Sequence, residues 1–89
     1  MTRYAPSPDA ACAAVDDGAV LLHMRTKRYY SLNETGAVIW RLLQDDLPAA
    51  EVAGRLVELY DVDRAAAHEA VMRLLHDLTS EALVSVETA

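Results

Sequence analysis

The chain has 89 residues, enough for one small domain, and a chain of this size buries only about 60% of its unfolded surface. It is 53% hydrophobic, which argues against disorder. Fourteen Asp+Glu against eight Lys+Arg give a net charge of −6, a poor balance for neutralising nucleic-acid phosphates.

Residues 1–9 include two of the three prolines and no periodic pattern, and are expected to be a flexible N-terminal arm. They lack the basic-then-apolar pattern of a signal peptide, and no apolar run approaches a membrane span, so a cytoplasmic location away from membranes is expected. Ala10 to Val15 reads as a first strand, closed by Asp16-Asp17-Gly18, since Asp-Gly favours a tight hairpin. Ala19 to Met24 reads as a second strand. After the polar turn Arg25-Thr26-Lys27, Arg28 to Leu32 reads as a third, its paired tyrosines favouring the extended state.

Three helices follow. Asn33 is a plausible N-cap for a helix to about Gln44, with Ile39, Trp40 and Leu43 on one face. Pro48 opens a second helix to about Tyr60, with Val52, Leu56 and Leu59 on one stripe. Asp63 can cap a third, to about Ser80, whose apolar positions are Ala67, Val71, Leu74, Leu75 and Leu78. Ala82 to Val86 reads as a short terminal strand or tail. The fold class is therefore α+β and winged-helix-like: a three-stranded antiparallel sheet followed by a three-helix bundle, within residues 10–87.

Catalytic and metal chemistry find little support. His68 and His76 sit roughly 80° apart on a helix, not in an i,i+4 metal pair, and His23 lies beside basic residues. Cys12, in an Ala-rich strand, reads as a small buried thiol. Asp16-Asp17 and Asp45-Asp46 lie in turns, and no Gly-rich phosphate loop exists. No enzyme activity, metal or cofactor is expected. A DNA-binding winged helix is the competing class, but the expected third helix is net acidic and would be repelled by phosphate.

Two features stand out. Arg25, Lys27 and Arg28 concentrate positive charge at the entry to the third strand, as edge protection or as an attractor for an acidic peptide. Met72 falls well off the apolar stripe of the third helix, as gap-filling core or as the wall of a groove.

The stretch Arg25 to Leu43, RTKRYYSLNETGAVIWRLL, resembles the PqqD-like family of peptide-binding domains, or RiPP recognition elements. The resemblance rests on the aromatic strand ending in Leu32-Asn33, on Thr35-Gly36, and on Trp40. The downstream stretch Leu56 to Val84 is similar to the helical remainder of that family. The resemblance implies a non-catalytic module that binds the leader segment of a ribosomal precursor peptide as an added strand. The leader would lie against the third strand, with the long third helix as the other wall. The implied peptide-binding residues are Arg25, Lys27, Arg28, Tyr29, Tyr30, Ser31 and Leu32 on the strand side, and His68, Glu69, Met72, Leu75 and His76 on the helix. The namesake branch, serving pyrroloquinoline quinone synthesis, tends to carry a Pro-Glu pair after the second strand, where this chain has Leu22-His23-Met24-Arg25-Thr26. The R-x-x-R-Y-Y-S-L-N form looks more like the stand-alone leader-binding proteins of lasso-peptide biosynthesis. Those imply two further partners, a separate cysteine-protease leader peptidase and an asparagine-synthetase-like cyclase. The quinone pathway or another modified-peptide pathway stays open as the alternative.

Overall fold

The computed structural model describes residues 2–88, and the side chains of residues 3–86. The elements in chain order are β1 (Thr2–Pro6), β2 (Ala10–Val15), β3 (Gly18–His23), β4 (Tyr29–Asn33), α1 (Glu34–Gln44), α2 (Ala49–Tyr60), α3 (Arg64–Ser80) and β5 (Val84–Thr88). The α+β plan expected from sequence is present: β2, β3 and β4 form an antiparallel meander, and α1, α2 and α3 follow it.

β3 is the central strand, and its alternation is strict. Ala19, Leu21 and His23 face inward and are buried, while Val20 and Leu22 face outward and are half-buried. Gly18 follows the Asp16-Asp17 turn at a positive φ, and a Cβ there would overlap the Leu32 carbonyl oxygen across the β3–β4 pair. A glycine is required at this close approach.

At the other end of β3, His23 closes the turn into β4. Its carbonyl accepts from Lys27 N–H at 2.8 Å, and Lys27 takes a left-handed φ of 64°. Its ring Nδ1 accepts from Arg25 N–H at 3.2 Å and Thr26 N–H at 3.3 Å. The buried imidazole is a turn cap.

The helices begin and end for local reasons. Asn33 caps α1 as expected, its Oδ1 accepting from Gly36 N–H at 2.8 Å. Pro48 is the N-cap residue of α2 and Asp63 that of α3, but the Asp63 side chain makes no cap bond; only its carbonyl does, accepting from Ala67 N–H. Asp61 stops α2 in a left-handed conformation.

The core joins Leu21 and Leu32 of the sheet to Ile39, Trp40 and Leu43 of α1, Val52 and Leu56 of α2, and Val71, Leu75 and Leu78 of α3. α2 packs chiefly on α3, and α1 lies on β3 and β4.

Three expectations require correction. Thr2–Pro6 does not form an arm: β1 pairs antiparallel with β5, Tyr4 opposite Val86, and it touches α1 and α2. Long-range pairing orders a segment with no periodicity of its own. Cys12 is exposed, not buried, because β2 lies at the sheet's edge with every residue beyond Ala10 open to solvent. Leu74 and Leu59 are not core residues; Leu74 is half-buried and Leu59 exposed.

Candidate functional site

Among the described residues the meander has two free edges, β2 and β4. On β4 the hydrogen-bond phase is set by His23 N–H, which donates to the Arg28 carbonyl at 2.9 Å. Alternation along an antiparallel pair then turns the peptide groups of Tyr30 and Leu32 toward β3, opposite Leu21 and Ala19. Those of Tyr29 and Ser31 point outward, away from the sheet. Their side chains are exposed, whereas Leu32 is buried and Tyr30 half-buried. β4 thus keeps an apolar inner face for the core and offers unpaired donors and acceptors along its outer edge.

α3 lies across from that edge. Between them is a cleft of about 230 Å³, lined on the β4 side by Tyr30, Ser31, Leu32 and Asn33, and on the α3 side by Ala70, Arg73, Leu74 and Asp77. Thr35, Gly36 and Ile39 of α1 form its floor. Gly36 keeps the floor low: a Cβ there would come within 3.2 Å of the Leu32 side chain. Thr35 and Ala70 also border a second, more apolar hollow of about 320 Å³, between Leu56 and Tyr60 of α2, Val62, and Ala66 of α3. A chain running along β4 can continue over Thr35 into this hollow.

Two polar contacts tie the strand to the helix. The Tyr30 hydroxyl donates to Asp77 Oδ2 at 3.1 Å. Arg28 Nε lies 3.3 Å from Glu81 Oε1. Partial burial raises the Tyr30 phenol above its ordinary value, and the hydrogen bond and the negative charges of Asp77 and Glu81 add to the rise. The neutral phenol is the form this site favours.

The structure brings some of the sequence-expected residues together and separates others. Tyr30, Ser31 and Leu32 line the cleft, and Tyr29 offers its edge peptide while its side chain points out. The basic trio is largely paired: Arg25 meets Asp9 at 3.1 Å and Arg28 meets Glu81. Among the described residues Lys27 makes no ion pair. On the helix the expected facing is wrong. Leu75 is fully buried in the core. His68, Glu69, Met72 and His76 are exposed and outside the cleft lining, His68 bordering a depression on the α2 side instead.

The reason is angular. With Ala67 at 0° and about 100° per residue, the buried stripe spans roughly 0° to 80°. Leu74, Ala70, Asp77 and Arg73 fall at about −20°, −60°, −80° and −120°, on one side of that stripe, and Met72 at about 140°, on the other. Sequence marks the stripe; it carries no sign for which flank meets β4. Arg73 and Asp77 line the cleft for this reason, and the sequence pattern does not single them out. The usable signal was the spacing of Ala70, Leu74 and Asp77, which forms a second stripe beside the first.

A family model described as "Coenzyme PQQ synthesis protein D (PqqD)" matches residues 18–84. The chain belongs to the PqqD family. The match begins at the Gly18 close approach and ends at the first residue of β5, so it includes every residue lining the cleft. Two solved structures are similar to this PqqD-family chain. "TbiB1 in Complex with the TbiA(beta) Leader Peptide" is 30% identical with a TM-score of 0.84, covering 91% of this chain and 94% of the other. "Lasso peptide synthetase B1 complexed with the leader peptide" is 31% identical with a TM-score of 0.84, covering 93% and 98%. No curated protein matches the chain.

Proposed function

We propose that this PqqD-family protein binds the leader segment of a ribosomally made precursor peptide in lasso-peptide biosynthesis. The leader adds as a fourth strand on the β4 edge, with α3 as the facing wall. The observation that carries the reading is that edge: the peptide groups of Tyr29 and Ser31 are unpaired and sit beside a cleft whose other wall is Ala70, Leu74 and Arg73. Main-chain pairing would supply affinity, and the cleft and the adjoining apolar hollow would select side chains. Support comes from the two similar structures, both of which are described as leader-peptide complexes.

The protein's part is to hold and present. A separate cysteine-protease leader peptidase would cut the bound precursor, and an asparagine-synthetase-like cyclase would close the ring, all in the cytoplasm where the precursor is made. Acidic leader residues would meet Lys27 at one end of β4 and Arg73 on α3, the latter by exchange with Glu69, its exposed partner at 2.7 Å. Such exposed pairs contribute little and exchange readily.

The test is fluorescence anisotropy with labelled synthetic leaders from the precursor genes neighbouring this chain's own gene. A Kd of micromolar or tighter, about −8 kcal/mol, is expected for one of them. Failure of every such leader to bind refutes the reading.

A further inference from the structure

The β4 edge has α3 across from it and Lys27 and Arg28 at its entry. The opposite edge of the meander is bare. β2 reads AACAAV, and every residue beyond Ala10 is exposed. It carries no charge and no proline, and its register with β3 runs without a bulge from Ala10 to Val15. Charges, prolines and bulges are the devices that ordinarily keep an edge strand from pairing with another chain.

The hydrogen-bond phase of this edge is fixed. Met24 N–H donates to the Asp9 carbonyl at 2.7 Å, so alternation turns the peptide groups of Ala11, Ala13 and Val15 toward β3. Those of Cys12 and Ala14 point outward. The Ala10 carbonyl also points outward, while its N–H is taken by the Ser7 carbonyl at 3.1 Å. Methyl-sized side chains build no pockets that would select a foreign peptide, so the edge has main chain to offer and little else.

We propose that the β2 edge pairs with the β2 edge of a second copy of this chain, antiparallel, about a twofold axis at Cys12. In that register Cys12 and the same residue of the second copy exchange a reciprocal pair of hydrogen bonds. Ala14 N–H donates to the Ala10 carbonyl of the second copy, and the reverse. The two neighbouring registers are worse. One sets Asp17 opposite Asp9, and like charges directly opposite repel. The other sets Ala14 opposite Pro8, which has no N–H to give.

Charge favours the same arrangement. Asp9 and Arg25 meet at the start of β2, with the Arg25 side chain 79% exposed. Asp16 and Asp17 turn the chain at its end. The twofold lays the acidic turn of each copy beside the exposed Arg25 of the other. The product is one continuous sheet in which both β4 edges lie outermost, so each copy keeps its cleft. The pairing does not depend on what β4 binds.

The test uses the full chain. One strand edge is a small interface of the transient class, so sedimentation should show monomer at about 10 μM and growing dimer toward about 1 mM. Ala14→Pro deletes an outward N–H at an edge position that tolerates proline, and should stay monomeric throughout. Directly opposite residues of this kind lie about 5.5 Å apart at Cα, within disulfide range. Mild oxidation of concentrated wild type should therefore link the copies through Cys12. Cys12→Ser combined with Ala11→Cys moves the thiol opposite Ala13 and should link at least tenfold more slowly. Circular dichroism checks folding; if Ala14→Pro unfolds, the oxidation pair decides alone. Wild type that stays monomeric at about 1 mM overturns the proposal, as does a dimer that a folded Ala14→Pro leaves intact. Equal linking from both thiol positions also overturns it. So does a stoichiometry of two leader peptides per chain, which would assign the edge to a peptide.

Discussion

Three neighbouring positions on α3 separate the cleft wall from the core and from the solvent side. Leu74 is half-buried and lines the cleft, Leu75 is fully buried, and Met72 is exposed on the opposite flank. If a leader side chain covers about 40–60 Å² of Leu74, at about 25 cal/mol per Å² the contact is worth about 1–1.5 kcal/mol. Leu74→Ala should therefore weaken leader binding about five- to twelvefold, while costing no more than about 1 kcal/mol of stability at a half-open site. Leu75→Ala empties a position with no solvent access and should cost about 2–5 kcal/mol of stability. Met72→Ala should leave both quantities within about 0.5 kcal/mol, as for an ordinary surface substitution. Anisotropy titration and urea melts on the three variants provide the two readouts. If Met72→Ala weakens binding and Leu74→Ala does not, the leader does not lie between β4 and α3 as argued, whatever the stability data show.

Three further outcomes follow from particular contacts. Ser31→Pro removes an amide that points away from β3, so the β3–β4 ladder should survive while leader affinity drops at least about tenfold; a loss of fold with no specific loss of binding would reverse the assigned hydrogen-bond phase. Because the Tyr30 phenol is raised in the folded protein, its contribution to stability is complete below the unfolded value near 10 and is lost as pH climbs through the folded value. The melting-temperature gap between wild type and Tyr30→Phe should close above about pH 10, and Asp77→Asn should lower the phenol's titration midpoint in difference absorbance; a midpoint that does not fall contradicts the assigned contact. Gly18→Ala should destabilise the fold by more than about 1 kcal/mol, read as a lower urea midpoint, because backbone rather than a movable side chain occupies the space a Cβ needs.

Much of the architecture is local and was therefore legible. The Asp16-Asp17-Gly18 hairpin, the Asn33 cap, and the spacing of Ile39, Trp40 and Leu43 each depend on residues within a few positions of one another. The buried stripe Ala67, Val71, Leu75 and Leu78 is likewise a property of one helix. The third strand was legible as the edge, because a meander pairs its middle strand on both sides. The motif from Leu32 to Trp40 points to the PqqD family without any knowledge of the cleft, because it is contiguous in the chain.

What only the tertiary structure decided is relational. Thr2–Pro6 becomes a strand because β5, more than seventy residues away, offers it an edge. Cys12 is exposed because β2 lies at the margin of the sheet, a fact about its neighbours and not about its own Ala-rich surroundings. His23 is buried because the turn after it folds back and places two backbone N–H groups on its ring. Most consequentially, the flank of α3 that faces β4 follows from how that helix rolls against α2 and the sheet. An amphipathic pattern fixes which residues go inward, since burial is a scalar property of each side chain. It leaves open which neighbour lies to the left and which to the right, so Leu74 and Arg73 form the wall while Met72 faces solvent.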